Sequence, residues 1–113
     1  MKYNSLKEFF EDIHQNAVSH GFWEGEMTPD AILAKIALCH GELSEALEEV
    51  RKGDSCYDVY LKGDKPEGLV VELADAVIRI VDLCEALGLD LETAMMVKHK
   101  YNRGREWKHG KKI

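Results

Sequence analysis

The sequence contains no apolar run approaching the roughly 18 residues that a membrane-spanning helix requires, so no membrane partner is expected. Its opening residues, Met-Lys-Tyr-Asn-Ser, form no apolar leader, and no export is read from them. It has three cysteines, Cys39, Cys56 and Cys84, an odd number with no C-x-x-C pair. That excludes a disulfide framework and reads as reduced thiols in a cytoplasmic protein. No Cys/His constellation is present for zinc or for a covalent nucleophile. Both the P-loop and the G-x-G-x-x-G pattern are missing, so any phosphate is held by something other than a glycine-rich turn. Repeats and low-complexity segments are absent as well.

What remains is a chain of 113 residues, 45% hydrophobic and 32% charged, which reads as one domain over residues 1–113. The net charge of −6 is uneven. From Lys98 onward seven Lys or Arg face a single acid, Glu106, giving a basic C-terminal segment (98–113) of +6 on a body of −12. An acidic body argues against a nucleic-acid binder. The split favours charge pairing within the chain, between subunits, or through an anionic ligand carrying metal ions.

Four helices are expected. Ser5 caps a first helix to residue 19, with Glu8 completing a capping box and Gly21 as the stop. Thr28-Pro29 starts a second helix that runs to Lys52 before Gly53. A loop follows from Gly53 to Lys65, in which Tyr57, Val59 and Leu61 alternate with polar residues over too short a run to define a strand. Pro66 is read as opening a third helix to about Leu87, and Asp90 caps a fourth from Leu91 to about Asn102. The fold class is therefore all-α, a four-helix-bundle-like arrangement.

The chemistry sits on the middle two helices. Glu42-Leu-Ser-Glu45 and Glu72-Leu-Ala-Asp75 each pair carboxylates at i, i+3, on one helix face. Glu49 and Asp82 extend the two stripes seven residues on. The third helix is apolar nearly all round except for the strip Glu72, Asp75, Arg79 and Asp82, so it is expected to be buried with that strip lining a cleft. On the second, Ile32, Ile36, Cys39, Leu43, Ala46, Leu47 and Val50 are expected to form the core stripe, bordered by the glutamates. Converging carboxylates beside a core need a cation or must take up protons. Hard oxygen donors suit Mg²⁺ or Mn²⁺ rather than zinc, with positions left open for water and phosphate.

E-x-x-E followed, after 26 intervening residues, by E-x-x-D resembles the metal-binding motif of the MazG-like nucleotide pyrophosphohydrolases, an all-α superfamily. The flanks Ile36-Ala-Leu-Cys-His-Gly-Glu-Leu-Ser-Glu-Ala-Leu-Glu-Glu and Lys65-Pro-Glu-Gly-Leu-Val-Val-Glu-Leu-Ala-Asp are also similar, as is the closing K-x-x-x-N-x-x-R-x-x-x-H-G-K-K. The resemblance covers most of the chain. It implies Mg²⁺-dependent cleavage of a nucleoside triphosphate, NTP or dNTP, to monophosphate and pyrophosphate, with nucleotide-pool cleaning as a role. It also implies metal ligation by Glu42, Glu45, Glu72 and Asp75, and a homodimer or homotetramer with sites completed between subunits. Lys98, Asn102 and Arg105 become ligand-binding candidates, with Lys111 and Lys112 behind them. His14 and Trp23, in the histidine-bearing first helix and the Gly-aromatic-Trp step, become candidates for contact with base or sugar. As proton acceptor from the attacking water, Glu45 and Glu49 both stand open.

Plainer readings compete with each assignment. Trp23 can plug the core, His14 can be a surface residue, and a basic tail can be a solvated end. The whole chain can also be a non-catalytic interaction module of the same fold, or a phosphoribosyl-ATP pyrophosphohydrolase.

Overall fold

The computed structural model describes residues 2–110, with the side chains of Asp54 and His109 left out of the description. Lys111 and Lys112 lie outside the described residues. The elements are α1 (Leu6–Ser19), α2 (Pro29–Arg51), a short 3-10 turn at Asp54–Tyr57, β1 (Tyr60–Lys62), β2 (Lys65–Glu67), α3 (Leu69–Ala86), α4 (Leu91–Arg103) and a second 3-10 turn at Trp107–Gly110. The all-α expectation holds, with a small antiparallel hairpin added between α2 and α3. No helix among the described residues is long and apolar enough to cross a membrane.

The helix starts follow their caps. Ser5, Thr28 and Asp90 each accept a hydrogen bond from the backbone N–H three residues on, at 3.0–3.1 Å. The capping box closes one residue early, because the Glu8 carboxylate accepts from the Asn4 N–H rather than from Ser5. Pro66 does not open a helix. It sits in β2 opposite Leu61, and the ribbon of Tyr60–Lys62 and Lys65–Glu67 absorbs the end of the expected loop. A proline costs no ladder bond on an edge strand, and both strands here are edges. α3 starts three residues later, after Gly68. Gly68 has φ +127°, and a Cβ there would stand 2.5 Å from the Asp58 carbonyl oxygen. Glycine is required where the hairpin doubles back onto the helix entry.

α3 lies between α1 and α2 and runs antiparallel to both. Glu42 meets Arg79 and Asp75 while Glu49, seven residues on, meets Glu72. His14 meets Asp82, whereas Lys7 and Phe10 share a cleft with Glu85 and Leu89. The seam between α2 and α3 is built from Cys39, Ala46 and Ala76, all buried and all small. Small seam residues allow close approach, which brings Glu42, Glu49 and Glu72 into the interface.

Two sequence expectations hold only in part. Of the expected α2 core stripe Cys39 and Ala46 are buried and Ile32 is half-buried, whereas Ile36, Leu43, Leu47 and Val50 are exposed and the bordering glutamates Glu42 and Glu49 turn inward in their place. α3 is not buried all round: Val70, Leu73, Val77, Ile78 and Ile80 are exposed, and Val81 is its one fully buried large side chain. α4 has no buried residue and no extensive packing against another element. The three cysteines are free, Cys39 and Cys56 buried and Cys84 half-buried. Burial pushes the Cys39 and Cys84 thiols up, which keeps them protonated and unreactive.

Candidate metal centre

The acidic faces of α2 and α3 meet in a cleft of about 590 Å³ whose third side is the hairpin. Small-molecule sites span roughly 300–1,000 Å³. Six carboxylates line it, Glu42, Glu45, Glu49, Glu67, Glu72 and Asp75, with Lys52, Lys62 and Lys65 at the rim. Two triads bring carboxylate oxygens within 4.8 Å of one another: Glu42, Glu72 and Asp75, and Glu49, Glu67 and Glu72. Glu72 belongs to both.

Of the four metal ligands expected from sequence, the structure brings together Glu42, Glu72 and Asp75. Glu45 lines the cleft from an exposed position outside both triads. Glu49 is only 4% exposed and takes hydrogen bonds from Lys52 Nζ at 3.0 Å and from the Tyr60 hydroxyl at 3.1 Å. Glu67 went unnoticed in the sequence, because its place in the second triad depends on how the hairpin docks.

The outer carboxylates have basic partners. Arg79 Nε donates to Glu42 at 2.6 Å, and Lys65 pairs with Glu67 at 3.2 Å. Glu72 is 6% exposed, and among the described residues it forms no ion pair; its side-chain partner is the Glu67 carboxyl. Burial, a proton shared with Glu67, and the neighbouring Asp75 push its carboxyl up to about 7. The shared proton and Lys65 hold Glu67 below the ordinary range, and burial together with Glu42 raises Asp75. Carboxylates packed this way keep a proton until a cation replaces it.

No family model, curated protein or solved structure matches this chain. The site is therefore read from its own chemistry.

A second, smaller cavity of about 220 Å³ adjoins the first and shares Glu42 and Asp75 with it. Ile13, Ala17, Phe22 and Ile78 give it apolar walls, while Asn16, Arg79 and Asp82 are its remaining polar lining. His14 and Trp23 do not line it; both bind Asp82. His14 Nδ1 lies 2.7 Å from one carboxylate oxygen, and the Trp23 indole N–H donates to both at 2.9 Å. Neither is a core plug nor a free surface group; they fix the carboxylate that faces the cavity. Lys35 lies 4.4 Å above the Trp23 ring and donates to the Phe22 carbonyl at 2.7 Å, pinning the segment between α1 and α2.

Asp82→Ala is expected to free both donors and cost about 2 kcal/mol, the scale of hydrogen bonds to a charged group. Trp23 emission in a Trp107→Phe background, followed through urea unfolding, reads this directly. The midpoint should fall and the native emission should shift to the red. An unchanged midpoint would show that Asp82 does not organise this corner.

Lys98, Asn102 and Arg105 do not reach either cavity within one chain. Lys98 and Arg105 lie over the Tyr101 ring, 4.7 and 5.4 Å from its centroid. Arg105 lines a separate open cleft of about 710 Å³ along α4. The half-buried Asn102 has a buried Oδ1 with no hydrogen-bond partner.

Proposed function

We propose that this chain is a MazG-like pyrophosphohydrolase that cleaves a nucleoside triphosphate, NTP or dNTP, to monophosphate and pyrophosphate with Mg²⁺ or Mn²⁺. The observation that carries the reading is Glu72, buried without a counter-ion and common to two carboxylate triads. An all-oxygen donor set fits Mg²⁺ or Mn²⁺, and a carboxylate shared by two triads fits a pair of such ions. Glu42, Glu72 and Asp75 would hold one, and Glu49, Glu67 and Glu72 the other. Cations bound there would supply charge neutralisation for the triphosphate and polarisation of the phosphorus under attack.

The chain's own residues divide the remaining work. The apolar cavity beside Glu42 and Asp75 accepts the nucleoside end, with Asn16 and Asp82 as its polar contacts. The attacking water loses its proton to a carboxylate, its oxygen bonds to phosphorus, and the bond to the departing pyrophosphate breaks. Glu45 suits the acceptor role better than Glu49. It is exposed at the cleft and unpaired among the described residues, whereas Glu49 is held by Lys52 and Tyr60.

The exposed apolar faces of α2 and α3 support a homodimer or homotetramer as part of the same reading. Val70, Leu73, Val77 and Ile80 recur at three- and four-residue spacing, the pattern of a helix seam. Assembly through these faces would let α4 of a second copy bring Lys98, Asn102 and Arg105 to the phosphates. The role that follows is control of the nucleotide pool.

A turnover panel tests the activity. Each common NTP and dNTP, and several oxidised or deaminated ones, would be incubated with Mg²⁺ and with EDTA. Metal-dependent release of a monophosphate is expected from at least one. No turnover of any nucleotide in Mg²⁺ would contradict the reading.

A further inference from the structure

The cleft carries both signs of charge, and they are segregated. Five of its six carboxylates stand on α2 and α3, whereas all three lysines come from the end of α2 and the hairpin. The nucleoside-sized cavity adjoins the opposite end, at Glu42 and Asp75. A triphosphate whose nucleoside occupies that cavity extends past Glu72 toward the hairpin. Glu72 itself is buried, faces into the cleft and meets the Glu67 carboxyl rather than a basic group, so a cation there would replace the proton that the two carboxyls share.

Lys52 and Lys65 already pair with Glu49 and Glu67, the two carboxylates that join Glu72 at the hairpin end. Both side chains are more than half exposed, so these pairs are weak and open to exchange. Lys62 differs. It lines the cleft and makes no ion pair among the described residues. A lysine present only to neutralise the acids would sit on one of them.

We propose that Lys62, flanked by Lys52 and Lys65, seats the terminal phosphates of a cation-bound polyphosphate at the hairpin end of the cleft. This rests on the pyrophosphohydrolase reading and extends it to the group that becomes pyrophosphate. The ammonium groups would meet the phosphate oxygens, while the carboxylates would hold the accompanying cations. All three lysines of this seat come from one chain.

The test uses the full-length protein, inorganic tripolyphosphate with Mg²⁺, and titration calorimetry. A parallel titration with Mn²⁺ alone reads the cation site. Lys62→Ala is expected to weaken tripolyphosphate binding roughly tenfold, which corresponds to about 1.4 kcal/mol. It should leave Mn²⁺ affinity and thermal midpoint unchanged, since Lys62 is exposed and pairs with no carboxylate. Lys62→Arg should bind nearly as well as wild type. Equal tripolyphosphate affinity in wild type and Lys62→Ala would overturn this proposal while leaving the cation site standing. So would a loss that runs parallel to a loss of Mn²⁺. A wild-type protein that binds neither Mn²⁺ nor tripolyphosphate would overturn the pyrophosphohydrolase reading along with it.

Discussion

Glu72→Gln is expected to lower turnover by at least about 100-fold, yet to raise the thermal midpoint of the metal-free protein at pH 8. Replacing a group that merely orients a metal ligand costs 10–100-fold, and Glu72 would be a ligand common to two cations. The stability effect has the opposite sign because the wild-type carboxylate is raised. Its pKa is about 7 in the folded chain against an ordinary 4.5. Below about pH 4.5 it is protonated in both states and folding pays nothing for it. As pH climbs through 7 the folded protein is forced to ionise a buried group among like charges, and stability falls. Glutamine removes that charge at every pH. The variant should therefore exceed wild type by a few degrees at pH 8 in EDTA, and the gap should close by pH 5. Mg²⁺ should stabilise wild type at pH 8 far more than the variant. Thermal melts at the two pH values, with Mg²⁺ and with EDTA, measure all of this. A variant less stable than wild type at pH 8 in EDTA would show that Glu72 has a cationic partner after all.

The double substitution Leu73→Asp, Val77→Asp is expected to convert an oligomer to a 12.8 kDa monomer. Leu73 is 41% exposed and Val77 56%, in line with Val70 and Ile80 on the outer face of α3. Outward Leu43, Leu47 and Val50 on α2 widen the apolar surface. Large exposed apolar side chains in line along a helix are the pattern of a face that packs against a partner. A stable interface between copies buries about 1,200–2,000 Å² in total. Two carboxylates at its centre would be desolvated without partners, which no such interface tolerates. Sedimentation at micromolar concentration should give two or four times the chain mass for wild type and one for the variant. A monomeric wild type would remove the route by which Lys98, Asn102 and Arg105 reach the cleft.

The helix ends were legible because they rest on local chemistry. Ser5, Thr28 with Pro29, and Asp90 cap helices through bonds to residues three positions away, and a sequence displays such spacings directly. The i, i+3 carboxylate pairs likewise put Glu42, Glu72 and Asp75 on facing stripes, and those three do converge. The facing of α2 was legible only in part: Cys39 and Ala46 of the expected stripe are buried, whereas Ile36, Leu43, Leu47 and Val50 are exposed. The helix carries apolar residues on two sectors, and its own periodicity does not say which one α3 covers. The small residues Cys39, Ala46 and Ala76 decide it, since only the sector they occupy lets the helices approach closely. The hairpin was missed because strands of three residues leave almost no alternation to count, and Pro66 is as good a helix opener as an edge-strand residue. Glu67 went with it: its contact with Glu49 and Glu72 is a product of tertiary docking. The separation of α4 from both cavities is likewise a matter of tertiary placement, which its own sequence pattern does not display.

The most direct test of the account is phosphorus NMR of a nucleoside triphosphate during turnover in Mg²⁺, beside EDTA and Glu42→Gln controls. Monophosphate and pyrophosphate signals that grow together, and in neither control, are the predicted result. Diphosphate and inorganic phosphate in their place would put the cut at the other anhydride bond and contradict it.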